Sequence, residues 1–207
     1  MGLFKWHRKD KKVKKSEVVS QEPDNPIPFG MKTAWLVLKE KDPKVVMDKL
    51  GCTDIKVCNW QSAFSIMQEG NQVFVTPCFG EYVLVLNCSS LLENKELLQE
   101  IALKFDEVQY FAAHRVVDLS CWVKFVKGKL IRSFYYADGT TYWNEGALTK
   151  EEQEIGLSLS SFELAEYNAD IIYPDEEVVG ELAAKWGVDP FLDDYQETKS
   201  TGFLCKF

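Results

Sequence analysis

The chain has 207 residues, of which 46% are hydrophobic, 13% aromatic and 27% charged. This is enough apolar material to fill one core, which excludes a disordered protein. The formal net charge of −8 argues against binding of nucleic acid phosphates by the folded part. Six cysteines are scattered without a C-x-x-C pair, so we expect free thiols in a reducing compartment, which favours a cytoplasmic protein.

The charge is divided unevenly along the chain. Residues 1–15 contain seven Lys or Arg and one acid, Asp10, so this tail carries +6 and the remainder carries −14. Apolar side chains accompany the basic ones, and the candidates for membrane contact are Leu3, Phe4, Trp6, Lys5 and Arg8. Our first interpretation is a solvated tail, the second is peripheral contact with the inner face of an anionic membrane, and the third is nucleic acid binding.

A polar, proline-rich stretch follows the tail, from Ser16 to Pro28. It lacks the apolar spacing of a helix or a strand, which predicts a linker. The expected organisation is therefore a basic disordered tail with a Pro-rich linker over 1–28, a single domain over 29–195, and a C-terminal extension over 196–207.

Two β-α units are predicted at the start of the domain. The apolar run 31–39 predicts a strand, and a helix over 43–50 follows, with Asp42 as N-cap and Gly51 as its stop. The second unit has a strand at 55–58, Asn59 as a helix cap and Gly70 as the stop.

An antiparallel part comes next. A hairpin is predicted between 73–76 and 82–86 across the loop 77–81, and helical spacing predicts a helix over about 95–105. The run from 108 to 143 predicts a long meander with two-residue turns at Lys127-Gly128 and Asp138-Gly139.

The second meander turn should bring Tyr136 and Thr141 close together, because Asp-Gly favours a type I′ turn. Thr149 and Glu152 form a capping box, and a further helix is predicted over 175–186, before Gly187. We therefore predict an α+β fold with a mostly antiparallel sheet, a C-terminal meander, two opening β-α units and four to five short helices.

Signatures of metal or nucleotide chemistry are missing from the sequence. The chain lacks paired cysteines, phosphate-binding glycine loops and the G-x-S-x-G motif. We therefore expect no metal and no cofactor.

The remaining catalytic candidates are His114, Arg115, Asp118 and Glu145. Histidine is the natural general base, and Arg115 could hold an anion or pair with a carboxylate. In one extended strand, His114 and Asp118 would be about 13 Å apart, which is too far for a hydrogen bond unless the strand bends. A histidine that serves only the core is the competing interpretation of His114.

Aromatic residues gather around the Asp138-Gly139 turn. Tyr135, Tyr142 and Trp143 are candidates for contact with a partner or ligand, because Tyr and Trp dominate interface hot spots. Packing across the sheet is the alternative, and it applies equally to Tyr136.

The segments EVQYFAAHRVVD, WNEG and KWGVDP resemble a set of bacterial proteins of about 200 residues without an established function. The resemblance covers residues 29–191. It implies no activity, cofactor or site residue.

The sequence leaves two functional hypotheses open. The first is a non-catalytic cytoplasmic protein-binding module of bacterial type, including the immunity-protein kind, whose acidic surface meets a basic protein. The second is a small hydrolase or transferase that uses His114 as general base and Arg115 to hold an anionic substrate. We prefer the first hypothesis.

Overall fold

The computed structural model describes residues 19–67, 71–157, 172–193, 195 and 198–207. The candidate membrane residues of the tail lie outside these ranges, and so does the predicted helix stop at Gly70. Leu3, Phe4, Lys5, Trp6 and Arg8 therefore keep only their sequence-based interpretation.

The core of the fold is a sheet of nine strands in the order β2-β9-β3-β4-β1-β5-β6-β7-β8. Every neighbouring pair is antiparallel. The strands are β1 Thr33–Lys39, β2 Thr53–Asn59, β3 Val73–Phe79, β4 Tyr82–Leu86, β5 Glu107–His114, β6 Leu119–Val126, β7 Lys129–Ala137, β8 Thr140–Glu145 and β9 Thr201–Lys206.

Five α-helices within the described ranges accompany the sheet. They are α1 Pro43–Leu50, α2 Trp60–Met67, α3 Lys95–Ala102, α4 Lys150–Ile155 and α5 Glu176–Trp186. Short 3-10 turns cover Ser89–Glu93 and Arg115–Val117. The predicted α+β fold with an antiparallel sheet is confirmed.

Helices cover both faces of the sheet. Side chains alternate along β1, so Trp35 and Val37 point to the core shared with α2 and α5, whereas Leu36 and Leu38 point to the core shared with α1 and α3. The sheet is therefore the middle of three layers, which explains why β1 reads as a continuous apolar run.

Short-range signals placed several elements correctly. The Asp42 carboxylate accepts the Lys44 N–H at the start of α1 (2.8 Å), and Gly51 ends that helix in the left-handed region with φ of 71°. The Asn59 side chain accepts the Ser62 N–H in the first turn of α2 (3.0 Å).

The two meander turns are also confirmed. Lys127, Gly128, Asp138 and Gly139 all have positive φ, as the type I′ geometry requires. Tyr136 pairs directly with Thr141. The first hairpin is tighter than predicted, because β3 continues through residue 79 and leaves a two-residue turn.

His114 and Asp118 do not lie on one extended strand, the arrangement considered from the sequence. The chain turns back between His114 and Leu119, which pair as the last residues of β5 and the first of β6. Arg115–Val117 form the 3-10 turn, and Asp118 adopts the left-handed conformation with φ of 46°. The turn ends with this positive φ at Asp118. Asp and Asn adopt the left-handed conformation more readily than most other residues that have a side chain.

The N-terminal boundary also differs from the expected one. Asp24 lies within the predicted linker, but its carboxylate accepts the N–H groups of Trp60 (2.8 Å) and Gln61 (3.0 Å) at the start of α2. Its backbone forms a bridge with Ser200. Val19 and Ile27 pack against the core, so the part of the predicted linker from residue 19 onward belongs to the fold.

The predicted C-terminal extension contains an interior strand. β9 lies between β2 and β3, and it is the only strand that pairs with β2 in the described part of the chain. Gly202 permits this packing, since a Cβ there would lie 2.5 Å from the Val75 carbonyl oxygen and 2.6 Å from the Phe74 ring. The extension is therefore part of the sheet.

All six cysteines are free thiols. Burial raises the pKa of the Cys58 thiol to about 11 and raises the pKa of Cys121 well above its usual value.

None of the helices in the described ranges is long and apolar enough to cross a membrane.

Candidate functional site

The aromatic candidates converge on one surface at the edge of the sheet. The Tyr135 ring stacks on Tyr142 at 4.8 Å and meets Trp143 edge-on at 5.2 Å, measured between ring centroids. Tyr142 is 58% exposed. Tyr136, by contrast, points to the opposite face and is buried in the α5 core. We refer to Tyr135, Tyr142 and Trp143 as the aromatic cluster.

A β-bulge creates this arrangement. Tyr135 pairs with Trp143, but Tyr136 pairs with Thr141, which leaves Tyr142 as the extra residue of β8. A bulge interrupts the alternation of side chains, so consecutive residues of β8 can both contact the Tyr135 ring. The spacing in the sequence does not reveal this interruption.

Charged side chains flank the aromatic cluster. Lys95, at the start of α3, has its ammonium 5.4 Å from the Trp143 ring centroid and pairs with the Glu145 carboxylate. Burial and the nearby Cys121, Tyr142 and Glu93 raise the pKa of Tyr135, so its phenol stays neutral at physiological pH. Glu145, considered a catalytic candidate from the sequence, thus pairs with the lysine that lies near the Trp143 ring.

A groove of about 650 Å³ adjoins the aromatic cluster. Tyr135 and Leu119 line it together with Leu92 and Phe207, and Glu93 is the one acidic side chain among the residues that line it. The surface therefore combines apolar rings with an acidic group, an arrangement suited to a cationic side chain.

A buried ion pair lies under the other face of the same strands. The Arg132 Nε donates to Glu152 Oε1 at 2.8 Å, and both side chains are almost completely buried. Trp122 Nε1 donates to the same oxygen at 2.8 Å. The second oxygen of Glu152 accepts the Thr149 N–H at 2.7 Å, which completes the predicted capping box of α4.

The same arginine fixes the end of β8. Its Nη1 donates to the Asn144 side-chain oxygen at 3.0 Å and to the Glu145 carbonyl at 2.9 Å. Gly146 follows with φ of 85°, and a Cβ there would lie 2.2 Å from the Ile131 carbonyl oxygen. Arg132 therefore joins α4 to the strand that carries Tyr142 and Trp143.

The proposed catalytic residues are distributed differently. His114 is partly buried, and its Nδ1 has no hydrogen-bond partner within the described ranges. The exposed Arg115 pairs with Glu176 at 3.7 Å. Asp118 contacts the Tyr136 hydroxyl and, after the larger effect of burial, helps to raise the pKa of Tyr136.

Glu145 lies far from His114. Glu145 is level with Ser133, Val123 and Tyr110 on the successive strands, three strands away from His114 and four residues along β5. These separations correspond to about 14 Å across the sheet and about 13 Å along it. The structure thus does not bring Glu145 to the histidine.

Metal ligands do not cluster in the part of the chain that the structure describes, where no three His, Cys, Asp or Glu side chains could hold an ion together. His114, Arg115 and Asp118 line none of five prominent cavities in that part of the chain.

Several residues of the site were missed from the sequence. Thr149 and Glu152 were recognised as a cap, but the burial of Glu152 against Arg132 depends on a contact across 20 residues of sequence. Lys95 and Glu93 reach the aromatic cluster from a helical segment. No local spacing signals such contacts.

We expect Glu152→Gln to lower the free energy of unfolding by about 3 kcal/mol, because it leaves the buried Arg132 charge without its counter-ion. Glu154→Gln is the matched control: Glu154 is on the same helix but partly exposed, with contacts only to Lys150 and Lys185 among the described ion pairs. We expect it to cost less than about 1 kcal/mol. Urea unfolding measures both, and equal losses would contradict a dominant role of the buried pair.

Comparison with known proteins does not assign a family or a function to the chain. The chain matches no protein-family model, no curated protein and no solved structure. The resemblance to bacterial proteins therefore stays a prediction, and the functional inference depends on the geometry alone.

Proposed function

We propose that this chain is a non-catalytic protein-binding module whose aromatic cluster contacts a basic partner protein. The observation that carries the proposal is the contact of the Tyr135 ring with Tyr142 and Trp143 at an open sheet edge, beside a groove that contains Glu93. Clusters of this kind supply large contact areas at low entropic cost. A small acidic inhibitor of the immunity-protein kind is one form of such a module.

The position of β8 supports contact with another chain. β8 is the last strand in the sheet and pairs only with β7 in the described structure. An extended segment of a partner could add to this edge through backbone hydrogen bonds, and its side chains could reach Tyr142.

Charge favours a basic partner over an acidic one. The chain beyond residue 15 carries −14, which would accelerate encounter with a positively charged protein. At the surface itself, a lysine or arginine of the partner could lie over the exposed Tyr142 ring while Glu93 balances its charge.

The enzyme hypothesis has less support. Arg115 already pairs with Glu176, and His114 lines none of the cavities described above. No geometric observation favours a hydrolase or transferase with these residues.

We also propose a cytoplasmic location, supported by the six free thiols.

The basic tail would contact an anionic membrane in this setting. Full-length protein should sediment with vesicles of anionic lipid, and replacing the seven basic residues of 1–15 by Gln should abolish sedimentation. Equal sedimentation of both proteins would contradict membrane contact by the tail. Vesicles of neutral lipid serve as the control for non-specific binding.

We expect Tyr142→Ala to reduce capture of a basic partner from the protein's own cells at least about tenfold, the loss typical of an aromatic hot-spot residue. Capture is quantified by mass spectrometry at low and high salt. Salt should weaken it, because opposite charges attract the partner.

Ile55→Ala provides the matched control. Ile55 is 48% exposed and lies on β2, the strand at the opposite edge of the sheet from β8. Equal capture by Tyr142→Ala and Ile55→Ala, or capture of acidic proteins only, would contradict the proposed surface.

A further inference from the structure

A cavity of about 360 Å³ differs in charge from the rest of this acidic chain. It lies where the end of β1, helix α1, the end of α3 and the β6–β7 turn meet. Four lysines and two acids are among its lining residues, namely Lys39, Glu40, Lys49, Lys104, Asp106 and Lys127.

One of the two acids is fully engaged within the protein. Glu40 Oε1 accepts the N–H groups of Lys41 (2.9 Å) and Asp42 (3.4 Å), and Oε2 contacts the Lys49 ammonium at 3.5 Å. The hydrogen bond from the Lys41 N–H lowers the pKa of Glu40, with a smaller contribution from Lys49. Glu40 therefore stays ionised and offsets the charge of Lys49.

The ammonium groups of Lys104 and Lys127 can interact with a ligand. Lys104 Nζ donates to the Lys49 carbonyl at 2.9 Å, which holds its ammonium at the cavity. Neither Lys104 nor Lys127 pairs with a carboxylate in the described part of the chain. The exposed Asp106 balances at most one of them, so the cavity keeps a positive excess.

The turn that carries Lys127 is held in place. Its backbone N–H donates to the Asp106 carbonyl at 2.7 Å, and Gln99 Nε2 donates to the Gly128 carbonyl at 2.8 Å. Gly128 has φ of 72°, a left-handed conformation that glycine adopts without steric cost, and the turn packs against the Leu103 side chain at the end of α3. The backbone at Lys127 is thus positioned before any ligand arrives.

The cavity also has an apolar side. Phe105 and Leu103 line it, the Lys49 ammonium lies 4.7 Å from the Phe105 ring centroid, and Leu103 is 71% exposed. A ligand with anionic groups and an apolar part would contact both kinds of surface.

We propose that this cavity binds a small phosphorylated molecule. Lys104 and Lys127 would contact its phosphate oxygens, for which lysine serves as a point charge. The apolar part of the molecule would lie against the exposed Leu103 side chain. The volume falls within the range of small-molecule sites. None of these residues belongs to the aromatic cluster, so this site is independent of the proposed function.

Calorimetric titration of the full chain with inorganic pyrophosphate and with ADP tests this proposal. We expect saturable binding of both, tighter for ADP, and weakened about tenfold by Lys104→Gln and by Lys127→Gln, since each removes one charge-assisted contact. Lys44→Gln and Lys129→Gln are the controls, because both lysines are exposed and lie outside the cavity.

Absence of saturable binding would overturn the site, and so would equal affinity of all four variants. Equal affinity for pyrophosphate and ADP would overturn the role of Leu103. Circular dichroism of each variant tests whether the fold is retained, so that a loss of binding in a folded variant reports on the lysine itself.

Discussion

The buried Arg132–Glu152 ion pair connects helix α4 to strand β7, and its hydrogen bonds extend to β6 and β8. Burial of two charges costs several kcal/mol for each ion, and attraction between them recovers this only when further hydrogen bonds satisfy both groups. Trp122, Thr149, Asn144 and the Glu145 carbonyl supply such bonds, and only Nη2 of Arg132 lacks a partner in this pair among the described residues. The pair therefore constrains β6, β7, β8 and α4 together, because the loss of any of these bonds would leave a further buried group unsatisfied.

This constraint also explains how the edge of the sheet can present a defined surface. An edge strand has a partner on one side only and is otherwise held by its side chains. Arg132 fixes the end of β8 from the α4 face, while Lys95 and Tyr135 contact it from the α3 face. Rings held on a fixed strand lose little freedom on binding, which favours their use in recognition. The cavity lined by Lys104 and Lys127 contains no residue of β8 or of the aromatic cluster.

Sequence reasoning was accurate where the chemistry is local. The cap at Asp42, the box of Thr149 with Glu152 and the turn at Asp138-Gly139 each involve residues within a few positions of one another. The fold class followed from the order of such elements. The grouping of Tyr135, Tyr142 and Trp143 was recognised as a cluster in sequence, although its geometry was not.

Errors arose where a distant partner decides the conformation. Asp24 reads as linker because its partners, the first N–H groups of α2, are 36 and 37 residues away. β9 is short and near the C-terminus, and only pairing with β2 and β3 makes it a strand. The turn after His114 has no Gly or Pro, and the bulge at Tyr142 depends on the register of β7. None of these follows from hydrophobic spacing.

The central claim is that Arg132–Glu152 holds the edge of the sheet in place. Amide hydrogen exchange under native conditions tests it most directly, by comparing the native chain with Glu152→Gln. Local exchange should accelerate in β8 and α4. The amides shared by β1 and β4 should accelerate by no more than the predicted loss in global free energy of unfolding, because their hydrogen bonds do not involve this pair. Unchanged protection of β8 in the variant would contradict the account.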